Sequence, residues 1–381
     1  MKIYEIGTGY TSIPAQIAAA TETVVEELSK ALLELGENVY IVDIEDSQRK
    51  SIDVPLLEVP FPQFLQKCDQ GLGLFHKFKR VCYSLALTQK LHSLIRKETE
   101  TVILHFHNQY NLFFFQLLTP RSLKKKVKSV YTNHNGHWSR PWKDAEQLLR
   151  RRYFQEIYCM KKADKVFVLN PKMEQNILQN LKLPSECVRT IDNGVNIERY
   201  HPLSEEERQK YRKQWNLDER LLILQVGSVN ENKGQIRTLE YLLPQLKNNK
   251  QLLFGYAGGI VDKAYDQALL DLAEQEGVED QLRYFGMLTP GDELNHLFNC
   301  AEATIHSSEY EAFSLVLLES LAAGVPVILC GKSEEMLTSE LNQICHLNHV
   351  EESCSAVRER YSWTAVAKKY ASVFRAMNKE S

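Results

Sequence analysis

Glu311 and Glu319 stand eight residues apart in Glu311-Ala-Phe-Ser-Leu-Val-Leu-Leu-Glu319-Ser-Leu-Ala-Ala-Gly324-Val-Pro326. Eight residues is slightly more than two helical turns. A helix beginning at Ser314 would carry Glu319 in its second turn, with Glu311 just before its start and near the same side. Leu315, Val316, Leu317, Leu318 and Leu321 are apolar on nearly every side of that helix and predict that it is buried. So apolar a run does not suit a pair of carboxylates on a solvated face; a buried carboxylate needs a partner or a ligand. Free N–H groups at Ser314, Leu315 and Val316 would form an anion site at the helix N-terminus. A carboxylate beside an anion site makes electrostatic sense when it binds hydroxyls of the same ligand. A diphosphate joined to a polyhydroxylated ring offers both groups.

Other residues could share that chemistry. Lys233 precedes Gly234 in Val-Gly-Ser-Val-Asn-Glu-Asn-Lys-Gly, just after a strand-like run. A lysine there can neutralise a diphosphate that departs with two negative charges. Ser228, after Gly227, adds one hydroxyl donor but no charge. His134 follows the strand-like Ser129–Thr132. Gly7 and Gly9 frame a loop after the first strand, where backbone can approach a phosphate closely. His105 and His107 hint at a metal, but no carboxylate or cysteine accompanies them at ligand spacing, so no metal site is expected.

These residues need elements to hold them. Lys2–Ile6 reads as a strand, then comes a helix from Ala18 ended by Gly36, then a strand at Val39–Val42. Strands follow at Thr101–His105, Lys128–Thr132, Lys165–Leu169 and Val188–Ile191. Residues 51–100 are less regular, apart from an amphipathic helix at Leu74–Leu94 with a basic side. Arg199–Leu203 reads as a passage between domains. A second series then runs Leu221–Val226, Leu252–Ala257, Leu282–Phe285, Ala303–His306 and Val325–Leu329. Alternating strands and helices predict two parallel-sheet α/β domains, which bind ligands beyond the strand C-termini.

The whole set resembles the retaining glycosyltransferases of the GT-B type, in particular family 4, with their E-x7-E block. The resemblance also rests on Tyr131-Thr-Asn-His134, Asp192-Asn-Gly194-Val195, Gly227 to Lys233-Gly234, Tyr256-Ala-Gly258-Gly259 and Tyr284-Phe-Gly286-Met-Leu288, in the family's order and spacing. It implies two facing Rossmann-like domains with a cleft between them: residues 1–200 for the acceptor, 201–360 for the nucleotide sugar, and a helix in 361–381 crossing back to the first. It implies a retaining, metal-independent hexosyltransferase with no cofactor beyond its UDP- or GDP-linked substrate. The acceptor would be a glycan, a lipid or a small molecule. By the same resemblance Lys233 binds the diphosphate, Glu311 the sugar hydroxyls and Glu319 the ribose, while His134 approaches the donor sugar and Met287 and Leu288 lie by the nucleobase.

Three departures stand out. Ser228 replaces the family's arginine, Ala19-Ala20 before Glu22 replaces a Gly-Gly pair, and Cys330-Gly331-Lys332-Ser333-Glu334-Glu335 replaces a Gly-Gly turn. They keep two alternatives open, a sugar-nucleotide epimerase of the same fold and a catalytically inactive partner subunit.

The 381 residues suit two domains, and a net charge of -3 gives no reason to expect nucleic acid. Eight cysteines without CxxC spacing, a start that runs directly into a strand, and no apolar run long enough to span a bilayer predict a cytoplasmic protein. Basic runs at Lys77-Phe-Lys79-Arg80, Arg121–Lys128 and Arg150-Arg151-Arg152 predict peripheral contact with an anionic membrane, the alternative being solvated helix faces.

Overall fold

The computed structural model describes residues 1–14, 20–62, 74–217, 219–288 and 291–379. The expected helix start at Ala18, as well as Ala19, Cys68 and Leu72, lies outside them. The chain divides into two compact units, one of Met1–Gly194 with Trp363–Ser381, the other of Val195–Ser362.

The first unit is built on a seven-stranded parallel sheet of order β3-β2-β1-β4-β5-β6-β7. The strands are β1 (Lys2–Ile6), β2 (Asn38–Ile44), β3 (Leu56–Val59), β4 (Val102–Phe106), β5 (Val127–Thr132), β6 (Lys165–Val168) and β7 (Val188–Thr190). Strand order reverses between β1 and β4. The loops that leave those two strands therefore open side by side, where doubly wound sheets bind ligands. β3 falls in the stretch read as irregular. It is only four residues long, framed by Pro55 and Pro60 and placed at the sheet edge, where missing N–H donors are tolerated.

The helix Ala20–Glu34 buries Val24, Val25, Leu28, Ala31 and Leu32 on one stripe, and Gly36 follows it with φ +80°. Against it packs the helix Trp363–Lys379, whose Val366, Tyr370, Phe374 and Met377 enter the same core.

The helix Leu74–Lys97 is longer than expected and divided differently. Tyr83, Leu87, Leu91 and Ile95, four residues apart, are buried. Phe75 and Phe78, by contrast, are 50% and 58% exposed, and Leu85 is exposed with them. Lys79, a member of the basic run Lys77-Phe-Lys79-Arg80, points inward and its Nζ reaches the Tyr10 carbonyl at 3.5 Å.

The second unit has a five-stranded parallel sheet of order β10-β9-β8-β11-β12. These strands are β8 (Leu221–Val226), β9 (Leu252–Ala257), β10 (Leu282–Tyr284), β11 (Ala303–His306) and β12 (Val327–Leu329). Its order reverses between β8 and β11. β12 starts two residues later than expected because Val325 N–H closes the preceding helix on Ser320 O, at 3.0 Å, and Pro326 has no N–H to give the sheet. At the ends of β8 and β9 the backbones nearly touch. A Cβ on Gly258, which has φ +137°, would lie 2.2 Å from the Gly227 carbonyl oxygen.

Candidate functional site

In the second unit Lys233 and Glu311 come together at the β8/β11 reversal. The loop after β8 carries Lys233, held by its N–H to Asn230 Oδ1 at 3.1 Å and by its carbonyl, which accepts from Gln225 Nε2 at 2.7 Å and Ser307 Oγ at 2.9 Å. The loop after β11 carries Glu311. The Lys233 ammonium bonds Glu311 Oε1 directly. The Ser308 hydroxyl donates to the same oxygen at 2.7 Å, and His306 Nε2 lies 3.5 Å from the other. Burial alone would raise the Glu311 pKa, but Lys233 and then His306 hold it well below the usual carboxylate range. Glu311 is 8% exposed and Lys233 25%, so the ammonium keeps a path to solvent. Its three N–H groups allow it to serve Glu311 and an anion together.

The helix Leu315–Ala322 begins at Ser314, whose side chain makes no capping hydrogen bond. The first-turn N–H groups at Leu315 and Val316 thus receive no cap from the Ser314 side chain. Leu317, Leu318, Leu321 and Ala322 anchor this helix in the core, which fixes the direction in which its N-terminus points. Glu319, one turn further, is half-buried. Burial pushes its pKa up to about 7, against the opposing pull of the Tyr200 hydroxyl and the Arg199 charge. The two glutamates therefore face different partners and carry opposite pKa shifts. Ser228 Oγ accepts from Asn230 Nδ2 at 2.9 Å, at the turn that positions Lys233. Met287 is 60% exposed after Gly286 (φ +84°), and Leu288 packs against the core.

In the first unit the Gly7–Gly9 loop and His134 lie beyond β1 and β5, on either side of β4. Asn111 Nδ2 donates to the Gly7 and Thr8 carbonyls at 3.0 and 3.3 Å. Gly9 has φ +74°, and a Cβ there would meet the Tyr83 ring at 2.2 Å, so this turn requires glycine. Glu22, in the first turn of the Ala20–Glu34 helix, is buried and accepts the Thr8 hydroxyl, and burial pushes its pKa up to about 7. The loop after His134 is pinned by Glu156, which accepts from Trp138 Nε1 at 2.7 Å and Asn135 Nδ2 at 2.9 Å. His134 Nε2 meets His107 Nδ1 at 3.0 Å. Burial and then the neighbouring His107 keep the His134 pKa well below the usual histidine value.

One expectation is corrected. A carboxylate does accompany His105 and His107: parallel pairing of β1 and β4 brings Glu5 against both, with three potential ligand atoms within 4.8 Å of one another. Their separations of 2.9 Å from Glu5 are hydrogen-bond distances. Tetrahedral zinc, bonded at about 2.0–2.2 Å, would hold such donors roughly 3.4 Å apart.

His306, Ser308 and Tyr200 were not anticipated. His306 is the last residue of β11, and its place at a strand C-terminus was the available signal. Nothing in the sequence around Tyr200 marks it.

Two family profiles cover most of the chain. "Glycosyltransferase Family 4" matches residues 21–199 and "Glycosyl transferases group 1" matches 207–337. An uncharacterized glycosyltransferase of Methanocaldococcus jannaschii is 24% identical over 304 residues, which is 72% of this chain and 75% of that protein. Mannosylfructose-phosphate synthase of Agrobacterium fabrum and lipopolysaccharide glucosyltransferase WaaG of Escherichia coli are 23% and 28% identical, over 56% and 45% of this chain but only 47% and 45% of their own length. Sucrose-phosphate synthase of Thermosynechococcus elongatus has the same fold, with a TM-score of 0.72 at 18% identity over the whole of both chains. So does Anabaena HepE, solved in complex with UDP and glucose, with a TM-score of 0.70 at 14% identity over 98% of this chain and 99% of that one.

Proposed function

We propose that this chain, which belongs to glycosyltransferase family 4 and has the GT-B fold, moves a hexose-type sugar from a UDP- or GDP-linked donor to an acceptor hydroxyl with retention at the anomeric carbon. The observation that carries this reading is the Lys233–Glu311 pair beside the uncapped N-terminus of Leu315–Ala322. Lys233 and the first-turn N–H groups stabilise the charge that grows on the leaving diphosphate. Glu311, with its pKa so far depressed, is a poor base. It therefore acts by accepting hydrogen bonds from sugar hydroxyls as the ring becomes oxocarbenium-like. Deprotonation of the acceptor falls to the departing phosphate. The charge on Lys233 takes the place that a divalent cation holds in other sugar transferases, so activity should survive excess EDTA; loss to background would refute metal independence. Thermal shift with UDP-glucose, UDP-N-acetylglucosamine and GDP-mannose tests donor binding, since a ligand of the folded state raises the melting temperature. NMR of the product then reads the anomeric configuration, and inversion would overturn the mechanism.

Glu319 is assigned to the ribose hydroxyls, and its raised pKa gives that assignment a pH signature. Hydroxyl donors stabilise the ionised carboxylate, so binding lowers its pKa and releases a proton. Affinity for the free nucleoside diphosphate should rise with pH through about 7 and level off above it. If only the ionised form binds, the gain should be about tenfold between roughly pH 6 and pH 8. Glu319→Gln should lose this component. An identical pH slope in the two proteins, measured by calorimetry, would contradict the assignment.

The acceptor side is proposed to touch anionic lipid. Among the described residues no helix is long and apolar enough to cross a membrane. The Leu74–Lys97 helix offers exposed Phe75, Phe78 and Leu85 with exposed Lys77. Its charge is smaller than the sequence implied. Lys79 is buried, Arg80 lies over the Tyr110 ring, and Lys126 is tied to the Glu98 carbonyl at 2.7 Å. At about 1 kcal/mol per basic residue near the surface, binding should be weak and salt-sensitive. Co-sedimentation with phosphatidylserine vesicles should occur at low salt and fade at high salt. No pelleting at low salt would remove the membrane from the proposal.

A further inference from the structure

The hydrogen bonds behind His134 form one buried chain across β1, β4 and β5. His105 Nδ1 lies 2.9 Å from Glu5 Oε1, and His107 Nε2 lies 2.9 Å from Glu5 Oε2. Beyond them, His105 Nε2 is 2.7 Å from Thr132 Oγ1 and His107 Nδ1 is 3.0 Å from His134 Nε2. Glu5, His105 and His107 are all buried. Tyr370 and Phe374 from the last helix close over His105, with ring centroids 5.6 Å away.

Proton positions follow from the only anion in this chain of contacts. Burial would raise the Glu5 pKa, but its two histidine partners bring it down to about 2, so Glu5 is ionised at neutral pH. An ionised carboxylate only accepts. Both contacts to it must therefore be N–H donations, from His105 Nδ1 and from His107 Nε2. Burial and the neighbouring His105 lower the His107 pKa to about 4, so the ring is neutral and its Nδ1 carries a lone pair. A lone pair at His107 Nδ1 can bond His134 Nε2 only if that nitrogen holds the proton. His134 is neutral too, which leaves its Nδ1 bare. Among the described residues this Nδ1 has no hydrogen-bond partner.

We propose that Glu5 and His107 are positioning residues that lock His134 in its Nε2–H tautomer, so that Nδ1 accepts a hydrogen bond from a hydroxyl of the sugar substrate. This rests on the reading of His134 as a substrate-binding residue. It makes His134 an acceptor and not an acid, and it requires the facing group of the substrate to be a donor. His107 also acts without touching substrate: it transmits the fixed polarity of Glu5 to the ring that does.

The test is 15N NMR of histidine side chains in the full chain, with His134 identified by the signals lost in His134→Gln. At pH 7 the unaltered protein should show the bonded proton on Nε2 of His134 and an unprotonated Nδ1. A proton on Nδ1 overturns the proposal without recourse to any variant. His107→Asn places a carbonyl oxygen near the old Nδ1 and should keep the Nε2–H form. His107→Gln keeps an N–H toward Glu5 but offers no acceptor to His134, and should give a mixture of tautomers. A pure Nε2–H form in His107→Gln, with the remaining histidine signals in place, also overturns it. Saturating UDP-glucose, with binding verified by thermal shift, should then move the His134 Nδ1 signal. If neither His134 signal moves, His134 is not a substrate contact and the role falls, whereas the tautomer has been read separately in ligand-free protein.

Discussion

Lys233→Ala is expected to lower kcat by roughly 10²–10³, typical of removing one donor that faces charge developing in the transition state. Donor affinity should fall much less, because the ground-state diphosphate is also held by backbone N–H groups. The structure adds a second consequence. Lys233 is the closest positive partner of the buried Glu311, so the variant takes away that carboxylate's directly bonded cation while His306 and Ser308 stay beside it. Its pKa should rise, and part of the lost rate will come from a misplaced Glu311 rather than from an uncompensated phosphate. A double-mutant cycle with Glu311→Gln separates the two. If the pair acts as a unit, the double variant will be little worse than the poorer single one. An unchanged kcat in Lys233→Ala would remove the lysine from the mechanism.

Phe374→Ala should be the most damaging of the simple core truncations, at about 3–5 kcal/mol. Phe374 is fully buried and packs between Phe167, Tyr370 and His105 at centroid distances of 6.1, 6.0 and 5.6 Å. In a unit of this size each kcal/mol moves the melting temperature by about 2–4 °C, so a fall of roughly 10 °C is expected. Thermal unfolding followed by tryptophan fluorescence measures it, and a fall of only about 1 °C would show that the last helix is not integral to the first core.

Much of this arrangement was legible in the residues. Nine of the strands occupy apolar runs that alternate with helical spacing, within a residue of where they were expected, while β2 runs two residues further and β12 starts two residues late. The anomaly of Glu319 was also readable, because the apolar Leu315–Leu318 before it and Leu321-Ala-Ala after it make a carboxylate out of place whatever it contacts. What could not be read was pairing over long separations. Glu5 and His105 are 100 residues apart, and only the parallel register of β1 with β4 makes them neighbours. Lys233 and Glu311 are 78 apart and were each singled out, yet nothing local predicted that one would neutralise the other. β3 was hidden by flanking prolines, and the inward turn of Lys79 by a helix whose buried stripe differs from its most apolar one.

The closing helix Trp363–Lys379 has a bearing on how this protein is made. It supplies much of one wall of the first core, yet the entire second unit separates it from the other residues of that core. During synthesis, at about 5–20 residues per second, the amino-terminal sheet emerges first and must wait many seconds with Val24, Leu28 and Phe167 uncovered. The second unit, continuous in sequence, can finish first. A nascent chain of this architecture therefore passes through an interval in which its earlier half is the stickier one, and holdase chaperones should engage it there until the terminus leaves the ribosome.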